Sequence, residues 1–161
     1  MNRTVLTALA IATICIGVAA ARPQGVALGL MGGDPSGLSL KVWTGSRVAL
    51  DAGLGYSYLW RGSALHIHGD MLWHTRSLVE EDDGFLPLYI GLGGRVKLSN
   101  ADNKLRVGVR VPFGVEYVFA SFPLGLFLEL VPVFDLTPPD GWFGYNSSIG
   151  FRYYFSGLSG D

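Results

Sequence analysis

The stretch VALDAGLGYSYLW, residues 48–60, divides into two classes by simple alternation. Val48, Leu50, Ala52, Leu54, Tyr56, Tyr58 and Trp60 form one set, and Ala49, Asp51, Gly53, Gly55, Ser57 and Leu59 form the other. Successive side chains of a β-strand leave opposite faces, so a period of two predicts a long strand with one apolar side. The same split recurs downstream. Leu65, Ile67, Met71 and Trp73 alternate with His66, His68, Asp70 and His74, and Leu88, Ile90, Leu92 and Val96 with Tyr89, Arg95 and Lys97. Leu105, Val107, Val109 and Val115 oppose Arg106, Arg110 and Glu116; Leu124, Leu126, Leu128 and Leu130 oppose Glu129; Ile149, Phe151, Tyr153 and Phe155 oppose Arg152. Two weaker strands at 25–32 and 37–44 complete a set of eight. None of the apolar positions named carries a charge. An even number of strongly alternating strands predicts an all-β fold, an eight-stranded antiparallel up-and-down barrel.

Composition narrows the classes of function. The chain has 161 residues, of which 49% are hydrophobic and 16% charged, and its mean hydropathy is +0.34. That is too apolar for a disordered chain. Twelve basic against thirteen acidic residues leave no basic surplus to neutralise a phosphate backbone, so nucleic acid is not an expected partner. A single cysteine excludes a disulfide scaffold. Residues 1–21 carry one charge, Arg3, then an apolar run and the small residues Ala19, Ala20 and Ala21, the order of a secretory signal peptide cleaved after Ala21. Cys15 would leave with it. The expected division is therefore a signal peptide over 1–21 and a barrel over 22–161. Beyond the leader the longest uncharged stretch, 117–128, lies between Glu116 and Glu129 and is too short for a spanning helix.

Alternation alone does not say which face looks inward. The polar face mixes long charged residues with Gly53, Gly55, Gly91, Gly93, Gly108, Gly114, Gly125 and Gly150. Glycine weakens a strand, and a solvated sheet has little use for it. A narrow lumen that must accommodate Arg, His and Tyr needs empty positions opposite them. The apolar face is therefore expected to meet lipid, with the polar face filling the interior. With the mature N-terminus in the periplasm, Tyr58, Trp60, Phe134 and Tyr145 collect at one rim and Trp73, Tyr117, Phe119, Tyr153 and Phe155 at the other, as two interfacial girdles do.

The segment Gly150-Phe151-Arg152-Tyr153-Tyr154-Phe155 resembles the C-terminal signature strand of bacterial outer-membrane proteins, followed here by 156–161. The mature chain resembles the small eight-stranded barrels of the OmpA and OmpX type. Stretches such as GDPSGLSLKVW, LPLYIGLGGR and LELVPVFDLTP look like those of a largely uncharacterised family of such proteins. The resemblance implies export to the outer membrane of a Gram-negative bacterium and partners in outer-membrane lipid and the assembly machinery. It does not point to a surface partner.

The inward set expected from the pattern is Lys41, Arg95, Lys97, Arg106, Arg110 and Arg152 against Asp51, Asp70, Glu116, Glu129 and Asp135, with His66, His68 and His74 among them. Buried charges persist only when paired, so this balance predicts a cross-linked plug in a closed lumen. A hairpin turning at Arg61-Gly62 would bring Asp51 to His74 and set Gly53 and Gly55 opposite Asp70 and His68, and a turn at 120–123 would bring Asp135 to Arg106. His66, His68 and Asp70 share one strand face in a spacing that a zinc site could use, but their expected role is hydrogen bonding to lumenal carboxylates and tyrosines. No metal, cofactor or catalytic group is expected. Pro112 and Pro132 are expected to share a bulge, and Glu80 to Asp83 to lie in a solvated turn on the longest connection. The reading is a monomeric outer-membrane barrel with a structural or surface-interaction role. Two alternatives differ in kind: a secreted lipocalin-like carrier of an apolar ligand, and an enzyme that modifies lipid A.

Overall fold

The structure is a computed structural model describing residues 22–23, 25–58, 63–81, 84–99, 105–137, 143–155 and 158–159. The strands in chain order are β1 (Arg22–Pro23), β2 (Val26–Asp34), β3 (Ser36–Trp43), β4 (Val48–Ser57), β5 (Ala64–Glu81), β6 (Gly84–Ser99), β7 (Leu105–Arg110), β8 (Phe113–Phe119), β9 (Leu124–Asp135), β10 (Phe143–Tyr154) and β11 (Leu158–Ser159). From β2 to β6 each strand pairs antiparallel with the next. β6 pairs with both β7 and β8, which pair in turn with β9. β9 pairs with β10, and β10 returns to β2 from Ser147↔Asp34 to Tyr154↔Ala27. β7 and β8 are two halves of one crossing, so the ring has eight members and no open edge. The fold is an all-β antiparallel barrel. The segments flanking the ring, β1 and β11, pair with each other outside it.

The barrel is inside out relative to a water-soluble one. Leu128 and Ile149 are 56% and 65% exposed, whereas Lys41 and Glu116 are fully buried. Leu54 and Phe113 face outward with them, and Arg110 and Arg152 are sealed inside.

Four details differ from the expectations. The β4–β5 register pairs Asp51 with Asp70, Gly53 with His68 and Gly55 with His66, two residues from the register expected for a turn at Arg61-Gly62. The phase survives the slip, because a shift of two keeps every side chain on its face. Secondly, the connection between β5 and β6 is not the longest. Both strands run on past Trp73 and Ile90 and stay paired as far as Glu81↔Gly84, with register shifts between His74 and Ser77 and between Ser77 and Glu80.

Thirdly, Pro112 makes no bulge. Residues on both sides of it hold one register with β6 and one with β9. The ladder is only interrupted: the carbonyls of Pro112 and Pro132 still accept from Gly91 N–H and Val111 N–H, while the Pro112 nitrogen has no proton to donate. Fourthly, the alternation in β2 changes phase near its end. Gly33 adopts φ +131°, a conformation open to glycine, and Asp34 turns inward beyond it.

Candidate functional site

The interior is the place where this chain concentrates chemistry. For orientation, the terminal end of the barrel holds Val26, Trp43, Gly84, Phe119 and Tyr154, and the far end holds Asp34, Ser57, Ser99, Leu105 and Asp135. Three layers of side chains fill the space between them.

At the terminal end Ala27, Val118 and Tyr154 form a buried apolar cluster, with Trp43 and Phe85 packed against it. Just inside it Lys41 projects from β3 onto the Glu116 carboxylate of β8, and its ammonium also donates to His74 Nε2 at 2.9 Å. The faces of Trp43 and Tyr89 stand 4.9 and 5.1 Å from the same ammonium, a geometry that stabilises a cation. Glu116 accepts a further bond from the Tyr154 hydroxyl at 2.7 Å.

In the middle layer two guanidinium groups tie strands together, Arg110 joining three and Arg152 four. Arg110 donates from Nε to Asp70 Oδ1 at 3.2 Å, from Nη1 to His66 Nε2 at 3.3 Å and from Nη2 to Glu129 Oε1 at 3.2 Å. Arg152 donates from Nε to Ser39 at 2.9 Å and from Nη2 to Asp51 Oδ1 at 2.6 Å, while its plane lies 3.8 Å from the Phe127 ring. Tyr89 donates to the second oxygen of Glu129 at 3.0 Å. Arginine suits this work because its planar fork presents several fixed donors at once.

The far layer is smaller and more exposed. Arg95 clasps both oxygens of Asp135 at 2.9 and 3.0 Å and donates to Asn146 at 2.9 Å; Asn146 in turn donates to Asp34. Lys97 and Arg106, cross-strand partners, are half-buried there, as is Asp135.

All fourteen charged and histidine residues expected at the lumen therefore lie on the inward face, eleven of them buried. Particular contacts differ. His74 bonds Lys41, not Asp51, and Asp135 closes on Arg95, not on Arg106, because each depends on the register slip or on a non-adjacent strand. Nor do His66, His68 and Asp70 gather as a set. The ring of His66 turns to Ser57 and Arg110, and the group that does converge is Asp51, His68 and Asp70, with ligand atoms within 4.8 Å of one another. Tyr89 and Tyr154, which the alternation already places on the polar face, enter the network through their hydroxyls, and Asp34, Ser39 and Asn146 join it without having been foreseen. Ser39 and Asn146 share the inward phase, which is the signal that could have found them.

Of the expected girdle residues, Tyr58, Phe134 and Tyr145 are exposed towards the far end, and Trp73, Tyr153 and Phe155 towards the terminal end. Tyr117 and Phe119 are half-buried and meet edge to face at 4.8 Å. Trp60 lies outside the described residues. No protein-family model matches the chain, and neither a curated protein nor a solved structure does.

Proposed function

We propose that this protein is an integral outer-membrane barrel of the small OmpA and OmpX kind, with a closed ionic lumen and a structural or surface-interaction role without catalysis. One observation carries the reading: large apolar side chains stand exposed around the whole ring, while the charges are inside. Leu30, Leu38, Leu50, Ile67, Leu92, Phe113, Leu128 and Ile149 represent every member of it. In water such a surface would far exceed the few hundred Å² of apolar patch that soluble monomers carry. Against hydrocarbon it costs nothing, and the closed ladder meets the other requirement of a bilayer, that no backbone group be left unbonded. Strands such as β4, β9 and β10, at 10, 12 and 12 residues, match the roughly 9 to 11 needed to cross at a tilt.

The lipocalin-like alternative requires an apolar interior for its ligand; the corresponding volume holds Lys41, Arg110, Arg152 and their partners. A lipid-modifying enzyme requires a polar catalytic group at the outer surface, whereas His66, His68 and His74 are buried in the lumen. β1 and β11, which precede β2 and follow β10 at the same end of the barrel and pair with each other, fit a periplasmic start and finish of the barrel. The full chain, expressed in a Gram-negative host, should fractionate with the outer membrane and migrate on gels in two forms, compact before boiling and extended after. A protein that stays monodisperse in buffer without detergent would refute the reading.

A further inference from the structure

The charges sealed in the middle of the lumen do not cancel. Lys41, Arg110 and Arg152 contribute three positive charges, and Asp51, Asp70, Glu116 and Glu129 contribute four negative ones, all of them buried. The far layer sets Arg95, Lys97 and Arg106 against Asp135 and the buried Asp34, but Arg95 is committed to Asp135, and Lys97 and Arg106 are half-exposed at the mouth, where water screens their charge from the groups deeper in. A single uncompensated charge in a low-dielectric interior is costly enough that a group there takes up a proton.

The hydrogen bonds around the histidines say where it can go. His74 Nδ1 faces the Arg47 carbonyl, which only accepts, at 3.3 Å, and its Nε2 faces the Lys41 ammonium, which only donates. His66 Nε2 likewise faces the Arg110 guanidinium, leaving Nδ1 to donate to Ser57 at 3.2 Å. Both rings are complete as neutral imidazoles. His68 is not: its Nδ1 is buried without a hydrogen-bond partner, and its Nε2 lies 3.9 Å from Asp51 Oδ2. Asp70 stands directly across the β4–β5 pair from Asp51 on the same face, a repulsive juxtaposition of like charges.

We infer that Asp51, His68 and Asp70 form a lumenal proton-binding site that holds one proton at neutral pH. The proton comes from water, breaks no bond in the protein and changes the trio from two negative charges to one, which balances the middle layer. A metal ion fits the same atoms less well. Both oxygens of Asp70 lie within 3.2 Å of the Arg110 guanidinium, and Asp51 Oδ1 is held by Arg152. A divalent ion would have to displace these cations and would carry the layer past neutrality. The inference concerns the interior alone and does not depend on what the outer face touches.

Nuclear magnetic resonance of the full chain refolded in detergent, with labelled histidine and aspartate, reads the site directly between pH 5 and 9. His66 and His74 should remain neutral with the proton on Nδ1 throughout. At pH 7 one proton should be found in the trio, as a protonated Asp51 or Asp70 carboxyl or a His68 imidazolium, and be released at higher pH. Two ionised aspartates beside a neutral His68 at pH 7 would overturn the inference. Stability provides an independent reading. A group that keeps its proton in the folded barrel but loses it in the unfolded chain makes stability fall as pH rises, by up to about tenfold in the folding equilibrium constant per pH unit. That fall should be present in the native protein and absent in Asp70→Asn, which has the shape of the protonated acid; equal slopes overturn the proposal. Zinc ions added to the native protein should leave the His68 resonances unmoved, and stoichiometric binding there would replace the proton with a metal site.

Discussion

A glycine facing this lumen marks the place where a large side chain from another strand needs room. A Cβ at Gly53 would strike the His68 ring, at Gly114 the Tyr89 ring, at Gly150 the Phe127 ring and at Gly125 the Glu116 carboxylate. The sequence already separated these glycines from the apolar face, and from them the inward direction of the polar face follows. Their partners were not legible, since each comes from a different strand. At Gly93 a methyl would meet both the Asp70 side chain and the Gly69 carbonyl oxygen, which belongs to the backbone and cannot swing aside. Gly93→Ala should therefore cost about 1–3 kcal/mol, as overpacking does. Gly144→Ala, with nothing within 4 Å of the added atom, should stay within about 0.5 kcal/mol of the native protein. Equilibrium urea unfolding of the refolded barrel compares the two directly. Asp34 is the instructive omission: the phase of β2 breaks at Gly33, and strict counting by twos passes over the residue that the break turns inward.

Among the elements, periodicity located every strand of the ring but not every boundary. The segment 75–87 lacks the clean apolar alternation of its neighbours, so it read as a connection; the structure continues both strands through it, with two register shifts absorbing the irregularity. Beyond Trp73, β5 leaves β4 behind, while β6 remains flanked by β8 as far as Gly84. This extension therefore has one bonded side where the body of the barrel has two. Hydrogen exchange should show it opening as a unit, with amides over 77–81 exchanging at least about a hundredfold faster than those over 66–72, which corresponds to roughly 2.7 kcal/mol less protection. Uniform protection along β5 would show that the extension is held by contacts outside the ladder. The two prolines show the same limit of local reading. Their position foretold an irregularity, but whether it would be a bulge or a gap depended on the ladders on either side.

For the whole molecule, the apolar exterior makes a prediction that separates lipid from water. Leu128 lies midway along β9, and Phe134 lies near its far end. In phospholipid vesicles Leu128→Arg should destabilise folding by about 2–4 kcal/mol and Phe134→Arg by about 1 or less, following the depth of each in the bilayer. Folding equilibria measured in vesicles check this, and equal, near-zero effects would remove the lipid from the account. The alternation that divides greasy from ionic positions is a property of each strand by itself, because a pleated backbone sends neighbouring side chains to opposite sides whatever surrounds it. The sequence by itself thus determined the strand content, the two faces and the identity of every inward charge described except Asp34. Only the tertiary structure decided which charges meet, because that depends on hairpin register and on the stagger with which the ring closes. Neither is a local quantity, and a slip of two residues exchanges an expected Asp51–His74 contact for the observed Asp51–Asp70 opposition while leaving every face unchanged.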